Sequence, residues 1–206
     1  MKILEEGFAL IENMKGPENI LVAKYLYQIA DIHNIAGRKK EALAYFEKAQ
    51  NLFQKYYANT HQLLAKIHEE QANIYYDLGE LSRSVEACLN ALTILQNIHE
   101  PNHPNLGKLM LKISRLYEKS EDYHRSLEYF SSSLKIFKQG GKSKSLELVP
   151  IYIELAEVHK KLDNLGKCLK YFSKAKRILQ VSENVRLECT AFVDCDIARI
   201  LCLGSN

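Results

Sequence analysis

The residues of this chain that could do chemistry are its seven histidines, five cysteines and several rows of lysine and arginine. His68-Glu69 opens the arrangement in which two histidines one helical turn apart bind zinc and the glutamate between them acts as base. The second histidine would stand at position 72, where the chain has Ala72, so that arrangement is excluded. Cys88, Cys168, Cys189, Cys195 and Cys202 are an odd number with no C-x-x-C spacing. The last three fall six and seven residues apart, too loosely to close a metal tetrahedron, and reduced, mostly buried thiols are expected. His33 and His159 are expected to pack rather than to ligate. No phosphate-cradling loop, dinucleotide glycine pattern or nucleophile elbow occurs. The expectation is a chain without catalytic residues, cofactor site or metal site.

The basic residues are more regular. Lys108, Lys112, Arg115 and Lys119 follow one another at steps of four, three and four, which lines them along one face of a helix. They could hold an acidic segment of a partner. The expected alternative is mutual neutralisation, with Glu69, Glu70 and Asp77 on the preceding helix and Glu154 and Glu157 on the following one. A second row, Lys167, Lys170, Lys174 and Arg177, lacks interleaved exposed aromatics and reads as a solvated face.

Composition narrows the class. With 206 residues and 47% hydrophobic content the chain can bury a sizeable core. A net charge of +3 is too small to argue for nucleic acid, and none is expected as a partner. The charge is uneven: 10 basic against 13 acidic residues in 1–100, and 18 against 12 in 101–206. No apolar run reaches the roughly 18 to 20 residues of a membrane span. The opening "MKILEEGFAL" puts two glutamates where a signal peptide is apolar, so a cytoplasmic location is expected.

What the chain does have is a repeat. Steps of 42 residues from Ala30 reach Ala72, Ser114, Ala156 and Ala198, all small; from Ile32 they reach Ile74, Leu116, Val158 and Ile200, all aliphatic. Ala49, Ala91, Ser133 and Ala175 form another small column, and Phe46, Cys88, Phe130 and Phe172 a bulkier one. Within each copy apolar residues recur at three and four, the period of an amphipathic helix, and no stretch alternates as a strand would. Gly37 and Gly79 break the first two copies midway, and Glu121-Asp122 and Asp163-Asn164 stand there in the later two. The reading is all-α, about 10 helices in stacked antiparallel hairpins. It is one domain over 1–206, with repeats at 18–56, 60–98, 104–138 and 145–180, a half-repeat at 2–14 and a terminal half-repeat at 183–204.

Small residues where helices touch, aromatic ridges beside them and a glycine between helices resemble the tetratricopeptide repeat. The residues that carry the likeness are Ala30, Gly37, Ala42, Phe46 and Ala49, then Ala72, Tyr75, Gly79 and Ala91. The 42-residue spacing, with "NHPN" before a helix and His61 one unit earlier, is similar to the kinesin light chain and nephrocystin group. The resemblance implies a right-handed α-solenoid whose stacked hairpins share a core, since one hairpin cannot bury its own apolar face. It implies a non-enzymatic scaffold or adaptor that takes a protein or peptide segment in a concave groove. A peptide-responsive regulatory module and a structural component of a ciliary or cytoskeletal assembly are the alternatives.

The groove that the resemblance implies comes from first-helix columns: Lys24, Tyr27, Gln28 and Asp31; Lys66, Glu69, Glu70 and Asn73; Lys108, Leu111, Lys112, Arg115 and Lys119; Ile153, Glu154 and Glu157. A family clamp for a C-terminal carboxylate needs Lys and Asn where this chain has Tyr27 with Asp31, or Glu69 with Asn73, and the acidic groups would repel the anion. The asparagine pairs of kinesin light chains are replaced by Tyr27-Gln28, Glu69-Glu70, Leu111-Lys112 and Ile153-Glu154. The expected ligand is an acidic or amphipathic segment. The terminal helix 183–204 lacks a polar outer face, and Phe192, Val193, Ile197, Ile200 and Leu201 cannot all pack on one neighbour. That end is expected to continue into further repeats, self-associate or meet a partner.

Overall fold

Four backbone positions spaced 42 residues apart share one conformation. Gly37, Gly79, Glu121 and Asp163 have φ of 75°, 79°, 63° and 55°, the left-handed region that stops an α-helix. In each case the amide at that position donates to the carbonyl three residues back, and the next amide reaches five back: Gly37 to Asn34 and Arg38 to His33 (3.0 and 2.9 Å), Asp163 to Lys160 and Asn164 to His159 (3.0 and 2.9 Å). The turn is therefore the same in all four copies, although two of them lack the glycine that makes it easy. Those two copies carry a compensating cap. Asp122 Oδ1 accepts from the Arg125 amide at 3.1 Å and Asn164 Oδ1 from the Lys167 amide at 3.3 Å, whereas Arg38 makes no side-chain cap.

First helices begin on a column of their own. Asn19 Oδ1 accepts from the Leu21 amide at 2.9 Å, His61 Nδ1 from Leu63 at 3.1 Å and His103 Nδ1 from Asn105 at 3.2 Å. His61 and His103 thus act as N-caps, and Pro104 takes the first helical position, where a missing amide proton costs nothing.

The computed structural model describes residues 2–17, 19–58, 60–142, 146–181, 193–198 and 200. The helices are α1 (Lys2–Lys15), α2 (Ile20–Ile35), α3 (Lys39–Tyr57), α4 (Gln62–Asp77), α5 (Leu81–Ile98), α6 (Pro104–Lys119), α7 (Tyr123–Phe137), α8 (Leu148–Lys161) and α9 (Leu165–Val181), with a wider π-type turn at Lys138–Lys142. There is no strand among the described residues. The chain is thus all-α, and α2–α3, α4–α5, α6–α7 and α8–α9 are the hairpins. They fall into two compact units. In residues 1–100, α1 packs on α2 and the two hairpins meet through α3 and α4; in residues 101–206 the hairpins meet through α7 and α8.

Each unit has a core built from the repeated columns. Ala30, Ala72, Ser114 and Ala156 are all fully buried, and so are Ala49, Ala91, Ser133 and Ala175. Small side chains at these sites let paired helices approach closely. Phe46, Cys88, Phe130 and Phe172 fill the space beside them, again fully buried. Burying such a phenylalanine contributes about 1.5–3 kcal/mol. Two hydroxyls tie helices together: Ser84 Oγ donates to the Ala72 carbonyl at 2.8 Å and Ser133 Oγ to the Gly107 carbonyl at 2.7 Å.

The columns weaken at the ends. Leu10 and Met14 of α1 are exposed. Ala198, which sequence spacing assigns to the buried small column, is exposed as well, because no second helix covers it among the described residues. Most of the terminal half-repeat 183–204, Phe192 and Leu201 included, lies outside the described residues. Of its other apolar residues, Val193 and Ile200 are buried in the core of their unit and Ile197 packs against it, so these three do find cover.

Candidate functional site

In the first unit the sequence-derived site residues come from α2 and α4. Lys66 brings the two together: its Nζ lies 5.6 Å from the Tyr27 ring centroid, and the Tyr27 ring rests at 5.6 Å from Phe46 in the hairpin core. Burial pushes the Tyr27 phenol above its ordinary range, with Lys66 opposing, while the hydrogen bond to Tyr27 raises the Lys66 ammonium. Asp31 and Glu70 stand close enough to add to both effects. Lys24 and Asn73 are exposed and Glu69 is half-buried. Asn73 Nδ2 donates to Glu70 Oε2 at 3.2 Å. Asp77 accepts from Lys39 Nζ at 2.6 Å within its own unit.

In the second unit the site residues come from α6 and α8. Arg115 grips Glu154 with a fork: Nη2 to Oε1 at 2.8 Å and Nε to both carboxylate oxygens at 3.1 Å. Planar bidentate pairing of this kind is the strong form of an ion pair. Glu154 therefore pairs with one member of the row, Arg115. Glu157 does not; its pair is Lys160 on the same helix at 3.5 Å, because the i,i+3 neighbour is nearer than the next helix. Sequence reasoning missed a second bridge, Lys161 Nζ to Glu118 Oε1 at 2.9 Å. Its signal was present in the spacing, 43 residues against 39 for Arg115 and Glu154. Lys119, with Arg115, Glu118 and Lys161, lines a cavity of about 260 Å3 between the two helices. Lys108 is exposed, Lys112 and Ile153 half-buried.

Several groups capable of redox or metal chemistry are buried in the packing. His33 and His159 are buried and stack on Tyr45 and Tyr171 at 5.1 and 5.5 Å between ring centroids. Cys88 and Cys168 are buried; burial pushes the Cys168 thiol up to about 11, away from the reactive thiolate. Cys195 is exposed, and Cys189 and Cys202 lie outside the described residues. Among the described residues no three His, Cys, Asp or Glu side chains gather where an ion could be held, and no helix is long and apolar enough to cross a membrane. In the second basic row, Lys174 lies over the rings of Tyr152 and Tyr171, 5.7 and 5.2 Å from their centroids.

Comparison with known proteins agrees with this architecture. One sequence profile of the tetratricopeptide repeat family matches residues 63–139 and another residues 23–56, together more than half of the chain. No curated protein matches the sequence. Among solved structures the chain is similar to BtubC (BKLC) from P. vanneervenii, with a TM-score of 0.72, 14% identity, 96% of this chain and 78% of that chain. It is similar to the nearly identical TPR-like repeats of a kinesin light chain from Podosopora anserina, at TM-score 0.75, 16% identity, 89% of this chain and 87% of that one. It is also similar to aspartyl phosphate phosphatase F from Bacillus subtilis, at TM-score 0.65 and 18% identity, where 89% of this chain corresponds to only 46% of the other. These likenesses show the fold; the family of the matching profiles is one of protein-interaction scaffolds and is generally non-enzymatic. The hairpin repeats, their shared left-handed turns and the profile matches lead to one conclusion: this chain belongs to the tetratricopeptide repeat family, with 42-residue repeats similar to those of kinesin light chains.

Proposed function

We propose that the protein is a non-enzymatic cytoplasmic adaptor that recruits an acidic or amphipathic segment of a partner protein along its first-helix faces. The observation that supports this most is the α6 face, where Lys108, Lys112, Arg115 and Lys119 follow one another and a cavity opens beside the Arg115–Glu154 pair. Glu154 pairs with Arg115 of that row, through the fork. A carboxylate-bearing segment could exchange with Glu154 on the Arg115 fork at little net cost, since partly exposed pairs are worth only about 0.2–1 kcal/mol. In the first unit Lys24, Tyr27, Asp31, Lys66, Glu69 and Asn73 offer a mixed surface suited to polar contacts.

Cross-linking mass spectrometry on affinity-purified complexes tests the reading. Partner cross-links at Lys108, Lys112 and Lys119, with at least tenfold weaker binding of the same partner by Lys112→Glu/Arg115→Glu, would support recruitment. Cross-links confined to the second helices and the chain ends would favour a structural part in a ciliary or cytoskeletal assembly. In a peptide-responsive regulatory module, the other alternative, ligand binding would change the spacing between hairpins.

A further inference from the structure

A cavity of about 500 Å3 opens in the first unit between α3 and α5, the two second helices, with α4 as its floor. Its walls are unlike the matching places in the other copies. The floor holds His68 and Gln71, both more than nine-tenths buried, and Gln71 Nε2 donates to Gln50 Oε1 on α3 at 3.2 Å. Moving 42 residues either way, the column of Gln71 reads Ile29, Ile113 and Leu155, and that of His68 reads Leu26, Met110 and Tyr152. The column of Gln50 reads Phe8, Leu92 and Leu134. All three polar residues stand where the fold elsewhere uses apolar ones, and they stand together.

The cavity is also open for a reason that can be named. In three hairpins the last aromatic residue of the first helix is covered by a tyrosine of the second: His33 by Tyr45, Tyr117 by Tyr129 at 5.6 Å and His159 by Tyr171. In the remaining hairpin the tyrosine position is Ala87. Tyr75 is covered instead by Arg83, whose guanidinium carbon lies 4.2 Å from the ring centroid and whose Nη2 donates to the Tyr75 hydroxyl at 3.0 Å. The side chain that fills this space in the other copies is missing here, and both Tyr75 and Ala87 line the cavity.

The lining indicates what would fit. Lys40 and Arg83 are balanced by Glu47 and Glu86, so the site has no preference for an anion or a cation. Asn51 and Asn90 at the rim add to Gln50 and Gln71, giving four carboxamides, each able to donate and accept at once. Gln50 and Gln71 spend one donor and one acceptor on each other, and an apolar ligand would cover their remaining ones without replacing the water, at a cost that a hydrogen-bonding ligand avoids. A peptide backbone presents that same alternation of donor and acceptor with no net charge. We propose that this cavity is a second binding site, for a short extended polypeptide segment whose backbone amides pair with Gln50, Gln71, Asn51 and Asn90. It lies among residues other than the first-helix groove residues and does not rest on their role.

Random dodecapeptides displayed on phage and selected on the full chain provide the test, with selected peptides then measured by isothermal titration calorimetry. The expected result is a set of peptides whose affinity falls at least tenfold with Ala87→Tyr, which restores the covering ring, and with Gln50→Leu, and changes less than twofold with Arg115→Glu. Should Ala87→Tyr perturb folding, Gln50→Leu and Asn90→Leu, checked by circular dichroism, serve alone. The side-chain amide resonances of Gln50 and Gln71 should shift when such a peptide is added to the unsubstituted protein. Selection yielding no peptides, or only peptides that Ala87→Tyr and Gln50→Leu leave unaffected, would overturn the proposal.

Discussion

Glu121 and Asp163, 42 residues apart, both hold left-handed backbone, φ 63° and 55°, at the turn that glycine makes in the two preceding hairpins. A side chain in this region costs roughly 1–2 kcal/mol, of which the Asp122 and Asn164 caps recover about 1. Glu121→Gly should therefore stabilise the second unit by up to about 1 kcal/mol, the extra freedom of glycine in the unfolded chain being the opposing effect. Gly79→Val at the equivalent turn should destabilise the first unit by more than about 1 kcal/mol. Urea unfolding followed by circular dichroism measures both, and a loss of stability on Glu121→Gly would refute the argument.

Ser84 and Ser126 share a column and should respond with opposite signs. Ser84 Oγ donates to the Ala72 carbonyl, so Ser84→Ala removes a buried bond worth about 1 kcal/mol. Ser126 Oγ is buried without a hydrogen-bond partner among the described residues, so Ser126→Ala should be neutral or stabilising by about 1 kcal/mol. Equal destabilisation in denaturant titrations would show that the Ser126 hydroxyl is satisfied after all.

Phe130 has no exposed surface and sits in the core of the second unit between both of its hairpins. Phe130→Ala should cost about 3–5 kcal/mol, a large share of the stability of a small unit. Phe130→Leu should cost clearly less, because the residual cavity is smaller. Hydrogen exchange after Phe130→Ala should accelerate most across α6 to α9.

The pH dependence has a definite sign. Burial lowers the pKa of His159, with Lys167 adding to it, and burial lowers His61 and His68 likewise. As pH falls below the unfolded value of about 6.5, the unfolded chain takes up protons before the folded one. The stability these neutral imidazoles contribute is complete above about pH 6.5 and is lost as pH falls from there through their lowered folded values. His159→Tyr, the residue used in that column by the second and third hairpins, should reduce the fall in Tm between pH 7 and pH 5. An unchanged slope in calorimetric scans would remove His159 from this account.

Glu154→Gln should change stability by no more than about 1 kcal/mol, since the Arg115 pair is partly exposed and screened. If the α6 face receives an acidic segment, the same change should strengthen partner binding by removing the internal competitor. Weaker binding of the partner by surface plasmon resonance would show instead that Glu154 contacts it or that the fork must be preset.

The sequence by itself determined the all-α class, the 42-residue period, the hairpins and the buried small columns. These follow from apolar spacing and turn chemistry, both local enough to read along the chain. It also placed the inter-helix breaks at Glu121-Asp122 and Asp163-Asn164, and the structure assigned the left-handed backbone to the first residue of each pair. Tertiary structure decided which charges meet. Arg115 chose Glu154, Asp77 chose Lys39 and Glu157 kept to its own helix, because ion pairing depends on side-chain reach of a few ångströms that a column assignment does not contain. The cavity beside Tyr75 likewise needed three dimensions. Its parts, Gln50, His68, Gln71 and Ala87, are ordinary residues scattered over 38 positions, and only the packing of α3, α4 and α5 makes their departures from the repeat coincide.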